Sequence, residues 1–160
     1  AFELAPLAAT APDRWRSEVF AARAAPPDAA AQLQLERDLE RLLASDLWRR
    51  RLELEPAVLA RELPLLLASP TAPEVGVTEP PLDGWIGTLD LLYRDPASGE
   101  LVVADFKSDR VDDAAAEAAK VATYGPQLRL YGAAVAAAFA AARPPRLELW
   151  LLARDRIVEL

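Results

Sequence analysis

The chain has no cysteine, no histidine and no methionine among its 160 residues. Without cysteine there can be no disulfide framework, thiolate metal site or iron–sulfur cluster. Without histidine, imidazole acid–base catalysis and histidine-ligated zinc are excluded as well. A metal bound here must therefore be held by oxygen, which favours Mg²⁺, Mn²⁺ or Ca²⁺. Although 52% of the residues are hydrophobic, no apolar run approaches the roughly 20 residues needed to span a bilayer. The N-terminal segment has no basic stretch leading into an apolar one, so nothing reads as a signal peptide. These absences predict a cytoplasmic domain with no membrane partner. Positive charge is also scarce: the net charge of −7 argues against unaided capture of a polyanion. The only local counterweight is Arg49-Arg50-Arg51, with Arg37 and Arg41 upstream. A chain that starts at Ala1 and lacks methionine is expected to be a processed product or a piece of a longer protein.

The length suits one domain with a substantial core. Residues 1–27, rich in Ala and Pro, read as a lead-in that packs through Trp15 and Phe20. The domain proper is expected over residues 28–160. Asp28 can cap a helix running to about Arg50, with Leu35, Leu39, Leu42, Leu43 and Leu47 forming one stripe. After Pro56, Val58 to Ala68 predicts a strand in which Pro64 marks a bulge or a sheet edge. Prolines 70, 73, 80 and 81 predict a loop over residues 69–83. Strands are expected at about 85–94 and 101–107, a short helix from Asp112 to Ala122, and a longer one from about Gly125 to Ala142 with Pro126 in its first turn. Arg146 to Ala153 predicts a further strand and Ile157 to Leu160 a last short one. The order helix, three strands, helix, strand predicts an α/β fold, a mixed sheet flanked by helices, whose near-continuous apolar strands suit burial on both faces.

The hairpin over residues 84–107 carries the chemistry. If the turn Asp95-Pro96-Ala97-Ser98-Gly99-Glu100 closes symmetrically, Arg94 faces Leu101 and Asp90 falls opposite Asp105. Two carboxylates so placed lie about 5 Å apart at Cβ and repel, and burial makes them costlier unless a cation compensates. Lys107, two residues after Asp105, points to the same face. A divalent ion between the acids with an ammonium beside it removes the conflict, and such an ion activates water and stabilises charge on phosphate. The plainer alternative is that both acids end their strands and pair with surface arginines. Glu62, in the preceding strand, is either a solvated glutamate or a further oxygen for the ion or its water. Tyr124, Gln127 and Tyr131 share one helix face; they either complete the core or brace the acids and contact a phosphate backbone.

Leu-Asp-Leu-Leu at 89–92, Asp-Phe-Lys-Ser-Asp at 105–109 and Tyr-Gly-Pro-Gln-Leu-Arg-Leu-Tyr at 124–131 resemble the PD-(D/E)xK nuclease domain. The closer likeness is to its RecB-like branch, found at the C-terminus of the AddA helicase–nuclease subunit, where a segment similar to Arg61-Glu62-Leu63-Pro64-Leu65 precedes the hairpin. The resemblance covers about residues 61–131. It implies a restriction-endonuclease-like core, a central mixed sheet of four or five strands between helices, and Mg²⁺-dependent hydrolysis of DNA phosphodiesters, with Mn²⁺ able to substitute. By position it implies Asp90, Asp105 and the carbonyl of Phe106 as metal ligands, Lys107 as the catalytic lysine and Glu62 as a supporting acid. It also implies Gln127 and Tyr131, with Tyr124 nearby, as residues organising the site and the DNA. The partners implied are single-stranded DNA, a helicase domain in the same parent chain and a second nuclease subunit, in exonucleolytic processing of double-strand breaks. One family feature, a histidine in an upstream helix that helps hold the metal, has no counterpart here. A catalytically silent nuclease fold that binds DNA or scaffolds a partner, and a free-standing exonuclease, are the competing expectations.

Overall fold

In the computed structural model, residues 29–68 and 84–160 are described, and five strands form one sheet in the order β1-β2-β3-β4-β5. These are β1 (Val58–Ala68), β2 (Gly84–Arg94), β3 (Leu101–Lys107), β4 (Arg146–Leu151) and β5 (Arg156–Glu159). Only β3 and β4 run parallel; the other neighbours are antiparallel. Among the described residues the α-helices are α1 (Ala29–Leu43), α2 (Asp46–Glu53) and α3 (Ala114–Ala138). The α/β class and the mixed sheet flanked by helices are as expected. The lead-in with Trp15 and Phe20, the cap at Asp28 and the loop at 69–83 lie outside the described residues.

The hairpin closes in the expected register, with Arg94 opposite Leu101 and Leu91 opposite Ala104. Asp95 accepts from the Ala97 amide at 2.8 Å, and Gly99 supplies the positive φ of 73° that the turn needs. Such an angle costs glycine little and other residues more. β1 lies at the sheet edge, which accommodates Pro64 without loss of an interior ladder bond.

Three expectations about helices and strand ends need correction. The helix expected from Asp28 to Arg50 is broken into α1 and α2 at Ser45. The Ser45 hydroxyl donates to the Leu42 carbonyl at 2.6 Å and accepts from the Trp48 amide at 3.1 Å, ending one helix and capping the next. Asp155 then accepts from the amides of Asp46 and Leu47 at 3.0 and 2.8 Å, fixing the new N-terminus from the other end of the chain. Conversely, the two helices expected at 112–122 and 125–142 are one. Asp113 caps α3 by accepting from Ala116 at 2.8 Å, and Pro126 sits inside the helix. It removes one donor, toward Ala122, but Leu128, Tyr131 and Val135 are buried beyond it, and that packing outweighs the loss. Finally, the strand expected to reach Ala153 stops at Leu151, and a 3₁₀ turn (Leu152–Arg154) leads to Asp155 at φ 51°.

Both sheet faces are covered. On one, Leu47 and Leu54 pack with Leu91, Tyr93, Val102, Ala104 and Trp150. On the other, Tyr131 and Val135 of α3 pack with Leu89, Leu92, Leu101 and Val103. Strict alternation would put Leu89 with Leu91, yet Leu89 and Leu92 both reach the α3 side. The alternation is reset between them, at Asp90. In β1 the register shifts between Val58 and Ala60, and Glu62 takes a left-handed φ of 47°. The register passing from Arg61–Leu91 to Leu63–Leu89 sets Glu62 opposite Asp90.

After this reset Gly87 faces α3. A Cβ there would lie 2.4 Å from the Tyr131 hydroxyl oxygen and 2.8 Å from its Cε1. Tyr131 is 1% exposed and its hydroxyl accepts from Gln127 Nε2 at 2.8 Å, so the ring cannot retreat freely. Gly87→Ala is therefore expected to destabilise the fold by about 1–3 kcal/mol through overpacking. Thermal melting checks this, and an unchanged midpoint would show that the ring can move.

Candidate active site

Asp90, Asp105 and Lys107 meet where the β2–β3 ladder ends. The Phe106 amide donates to the Asp90 carboxylate at 2.7 Å, so that a side chain stands where backbone pairing would otherwise continue. The Lys107 ammonium lies 2.6 Å from Asp105 Oδ2, with the two side chains 20% and 4% exposed. That oxygen nonetheless has no aligned hydrogen-bond donor; the pair is held by charge rather than by a well-directed hydrogen bond.

Burial pushes the Asp105 carboxyl up from its ordinary range. Lys107 pulls it back without cancelling the shift, and the charge of Asp90 adds to the rise. Burial alone would lower the Lys107 ammonium, but contact with Asp105 and the charges of Asp105 and Asp90 outweigh it and hold it above the usual lysine value. As stability statements the two oppose each other: the fold favours the charged lysine and disfavours the charged aspartate. The deeper member decides, because the desolvation penalty grows with burial.

A carboxyl raised in the folded state stabilises the protein fully below its ordinary pKa near 3.8. That contribution is lost as pH rises through the higher folded value. At neutral pH the Asp105 charge is thus a net cost. Asp105→Asn is expected to raise the melting temperature of the metal-free protein by a few degrees at pH 7, the gain closing toward pH 4. A lower melting temperature in chelator would refute the repulsive facing.

The lysine leads to further residues. Its ammonium sits 4.5 Å from the centroid of the Tyr124 ring, and Lys120 lies over the same ring at 5.8 Å. The Tyr124 hydroxyl donates to Asp109 Oδ2 at 3.1 Å, and Lys120 pairs with Asp109 Oδ1 at 2.9 Å. These contacts, that of Lys120 foremost and then that of Tyr124, hold the Asp109 carboxyl below its ordinary range. Asp109 and Lys120 did not emerge as site residues from the sequence. The signal was available, since Asp109 closes the Asp-Phe-Lys-Ser-Asp segment and Lys120 is one of only two lysines.

The expected helix-face trio divides. Tyr124 reaches Lys107, whereas Gln127 donates to Tyr131, which is buried against Gly87. Glu62 is exposed, and among the described residues no three acidic side chains gather closely enough to hold a metal ion. Glu62 thus stands outside any cluster of three acids, at a point of β1 where the backbone takes a left-handed φ of 47°.

The donor set still fits a hard divalent cation. Two neighbouring carboxylates converge, the buried Asp105 Oδ2 has only the Lys107 ammonium beside it, and the sequence offers no histidine, cysteine or methionine as a softer ligand. Mg²⁺ commonly binds through one or two carboxylates, with water and phosphate oxygens completing its shell.

No helix of the described residues is long and apolar enough to cross a membrane. No curated protein matches the chain in sequence. Residues 3–159, however, match the PD-(D/E)XK nuclease superfamily. With a restriction-endonuclease-like mixed sheet, a facing acid pair and a lysine two residues beyond the second acid, the chain belongs to that superfamily, whose members are typically metal-dependent nucleases.

Proposed function

We propose that the chain is a metal-dependent DNA nuclease domain, and that Asp90, Asp105 and Lys107 carry the reaction. The supporting observation is a buried carboxylate beside a second one, its charge unfavourable in the bare protein and a lysine ammonium 2.6 Å away. Asp90 and Asp105 would hold the ion. The Phe106 amide points at Asp90, and a strand residue's carbonyl lies on the same edge as its amide, so the Phe106 carbonyl is a third oxygen on that side. When bound, Mg²⁺, or Mn²⁺ in its place, would lower the pKa of a water and neutralise charge on the phosphate. Lys107 would orient the attacking water or offset the negative charge growing on the phosphate oxygens. Gln127 and Tyr131 brace the helix against the hairpin, and Tyr124 covers the lysine. Glu62, outside the acid pair, would act only through solvent.

The finer reading is RecB-like. Four segments in the order seen at the C-terminus of AddA-type subunits support a cytoplasmic exonuclease domain of a longer helicase–nuclease, working with a second nuclease subunit in double-strand-break repair. Single-stranded DNA fed by the motor is then the substrate. The net charge of −7 suits a domain to which DNA is delivered rather than one that captures it alone. That same charge favours the second reading, a silent nuclease fold that scaffolds a partner.

The deciding experiment measures cleavage of end-labelled single- and double-stranded DNA in Mg²⁺, in Mn²⁺ and in chelator, together with calorimetric titration of Mg²⁺. The nuclease reading expects metal-dependent product and ion binding that disappears in Asp105→Ala. Ion-independent behaviour with no product would leave the scaffold reading standing.

A further inference from the structure

The chain contains only two lysines, Lys107 and Lys120; every other cationic side chain of the eighteen is an arginine. Both ammonium groups stand over one tyrosine ring, that of Tyr124, at 4.5 and 5.8 Å from its centroid. Asp109 ties the arrangement together from outside, one oxygen accepting from the Tyr124 hydroxyl and the other paired with Lys120. Tyr124 and Lys120 lie on α3, Asp109 follows β3, and Lys107 ends that strand.

We propose that Tyr124, anchored through its hydroxyl by Asp109 and flanked by Lys120, is a positioning residue that holds the Lys107 ammonium at the Asp90–Asp105 pair. The inference rests on the nuclease reading above and adds a part to it. A lysine has a flexible four-carbon stem and a compact charge, so its head must be restrained from outside, unlike the planar fork of arginine. Asp105 alone is a poor restraint. A carboxylate that serves as a metal ligand has less charge to offer an ammonium, so an ion at the acid pair would loosen the contact with Lys107. The face of an aromatic ring attracts the ammonium without competing for the ion. Asp109 in turn keeps the ring from rotating away, and Lys120 pairs with Asp109 on its other oxygen.

The scarcity of lysine makes the test direct, because protein labelled with ¹³C-lysine gives two sets of side-chain signals. Lys120→Arg assigns them by removing one. The expected result is that the Lys107 ε-methylene protons are shifted upfield by the Tyr124 ring current, and that Tyr124→Leu returns them to the position of free lysine. Tyr124→Leu is also expected to lower kcat about ten- to a hundredfold through misplacement of one group. KM and Mg²⁺ affinity should stay unchanged, a pattern that mere loss of structure would not give. Tyr124→Phe, which keeps the ring but loses its anchor to Asp109, should retain part of the shift and part of the rate, falling between the wild type and Tyr124→Leu. Should Tyr124→Leu fail to fold, Asp109→Asn serves instead, with a partial return of the Lys107 signals and a smaller fall in kcat.

Lys107 signals at the free-lysine position in the wild type, or wild-type kcat in Tyr124→Leu, would overturn the inference. So would unchanged signals and rate in Asp109→Asn where that variant replaces it. A wild type that cleaves no DNA in either metal would instead overturn the nuclease reading, and the spectra separate the two failures.

Discussion

Lys107→Ala is expected to reduce DNA cleavage by at least about a hundredfold, as removal of one preorganised electrostatic group typically does, with the fold retained but the metal-free melting temperature lowered, because the buried Asp105 carboxylate loses its ion partner. Lys107 ends β3, and the residues of that strand that fill the core, Val102, Val103 and Ala104, precede it. Truncating its side chain empties no core volume. Asp105→Ala should lose activity at least as completely, since it removes one of two proposed metal ligands, and it should not unfold the protein. The charge it deletes is the one that burial already disfavours. The pair of measurements, rate and melting midpoint, therefore distinguishes a chemical role from a structural one. Cleavage equal to wild type in both variants would end the assignment of these residues to catalysis.

The largest loss of stability is expected on the opposite sheet face, at Glu148. This acid is 3% exposed and accepts from the Tyr93 hydroxyl at 2.8 Å, the Trp150 indole at 2.9 Å and Arg146 at 3.2 Å. Arg146 is shared with Asp95 at 2.5 Å, and its own pKa is raised, burial being outweighed by Asp95 and its neighbours. Glu148→Leu would leave two buried donors, the Tyr93 hydroxyl and the Trp150 indole, without their acceptor and deprive the half-buried Arg146 of one partner, at a cost of about 3–5 kcal/mol. Tyr93→Phe deletes only one hydrogen bond and should cost about 1 kcal/mol. Burial, then the charge and hydrogen bond of Glu148, push the Tyr93 hydroxyl from 10.0 to about 12. A raised folded value means stability that is present below pH 10 and lost as pH rises through about 12. The wild type should therefore lose about 2–3 kcal/mol more than Tyr93→Phe across that interval. Denaturant melts at pH 9 and pH 12 check both statements; parallel pH curves for the two proteins would refute the buried network.

What could be read from the sequence was local or periodic. The hairpin register was legible because a six-residue turn with Asp95 and Gly99 joins two apolar strands, and that register brings Asp90 and Asp105 together. Long-range determinants were not legible. The break between α1 and α2 depends on Asp155, which lies 109 residues beyond Asp46. The continuity of α3 through Pro126 depends on packing that no local rule weighs. Glu148 was hidden because its partners, Tyr93 and Trp150, are set beside it only by the sheet and the side chains that enclose them, which no local pattern reports. Glu62 and Asp90 escaped any period-2 rule because the strands change face at that point. The acid pair, by contrast, could be found because like charges in facing apolar strands conflict with every simpler pattern.

The grip of Asp155 on the first amides of α2 sets an order on how the molecule can be completed during synthesis. A chain emerging from the ribosome N-terminal end first makes α2 early, yet the carboxylate that secures it arrives more than a hundred residues later. Until then the apolar side of Leu47 and the Tyr93–Trp150 face of the sheet lack their fastening. Nascent forms halted before residue 155 should accordingly expose that face and be the species most dependent on chaperones.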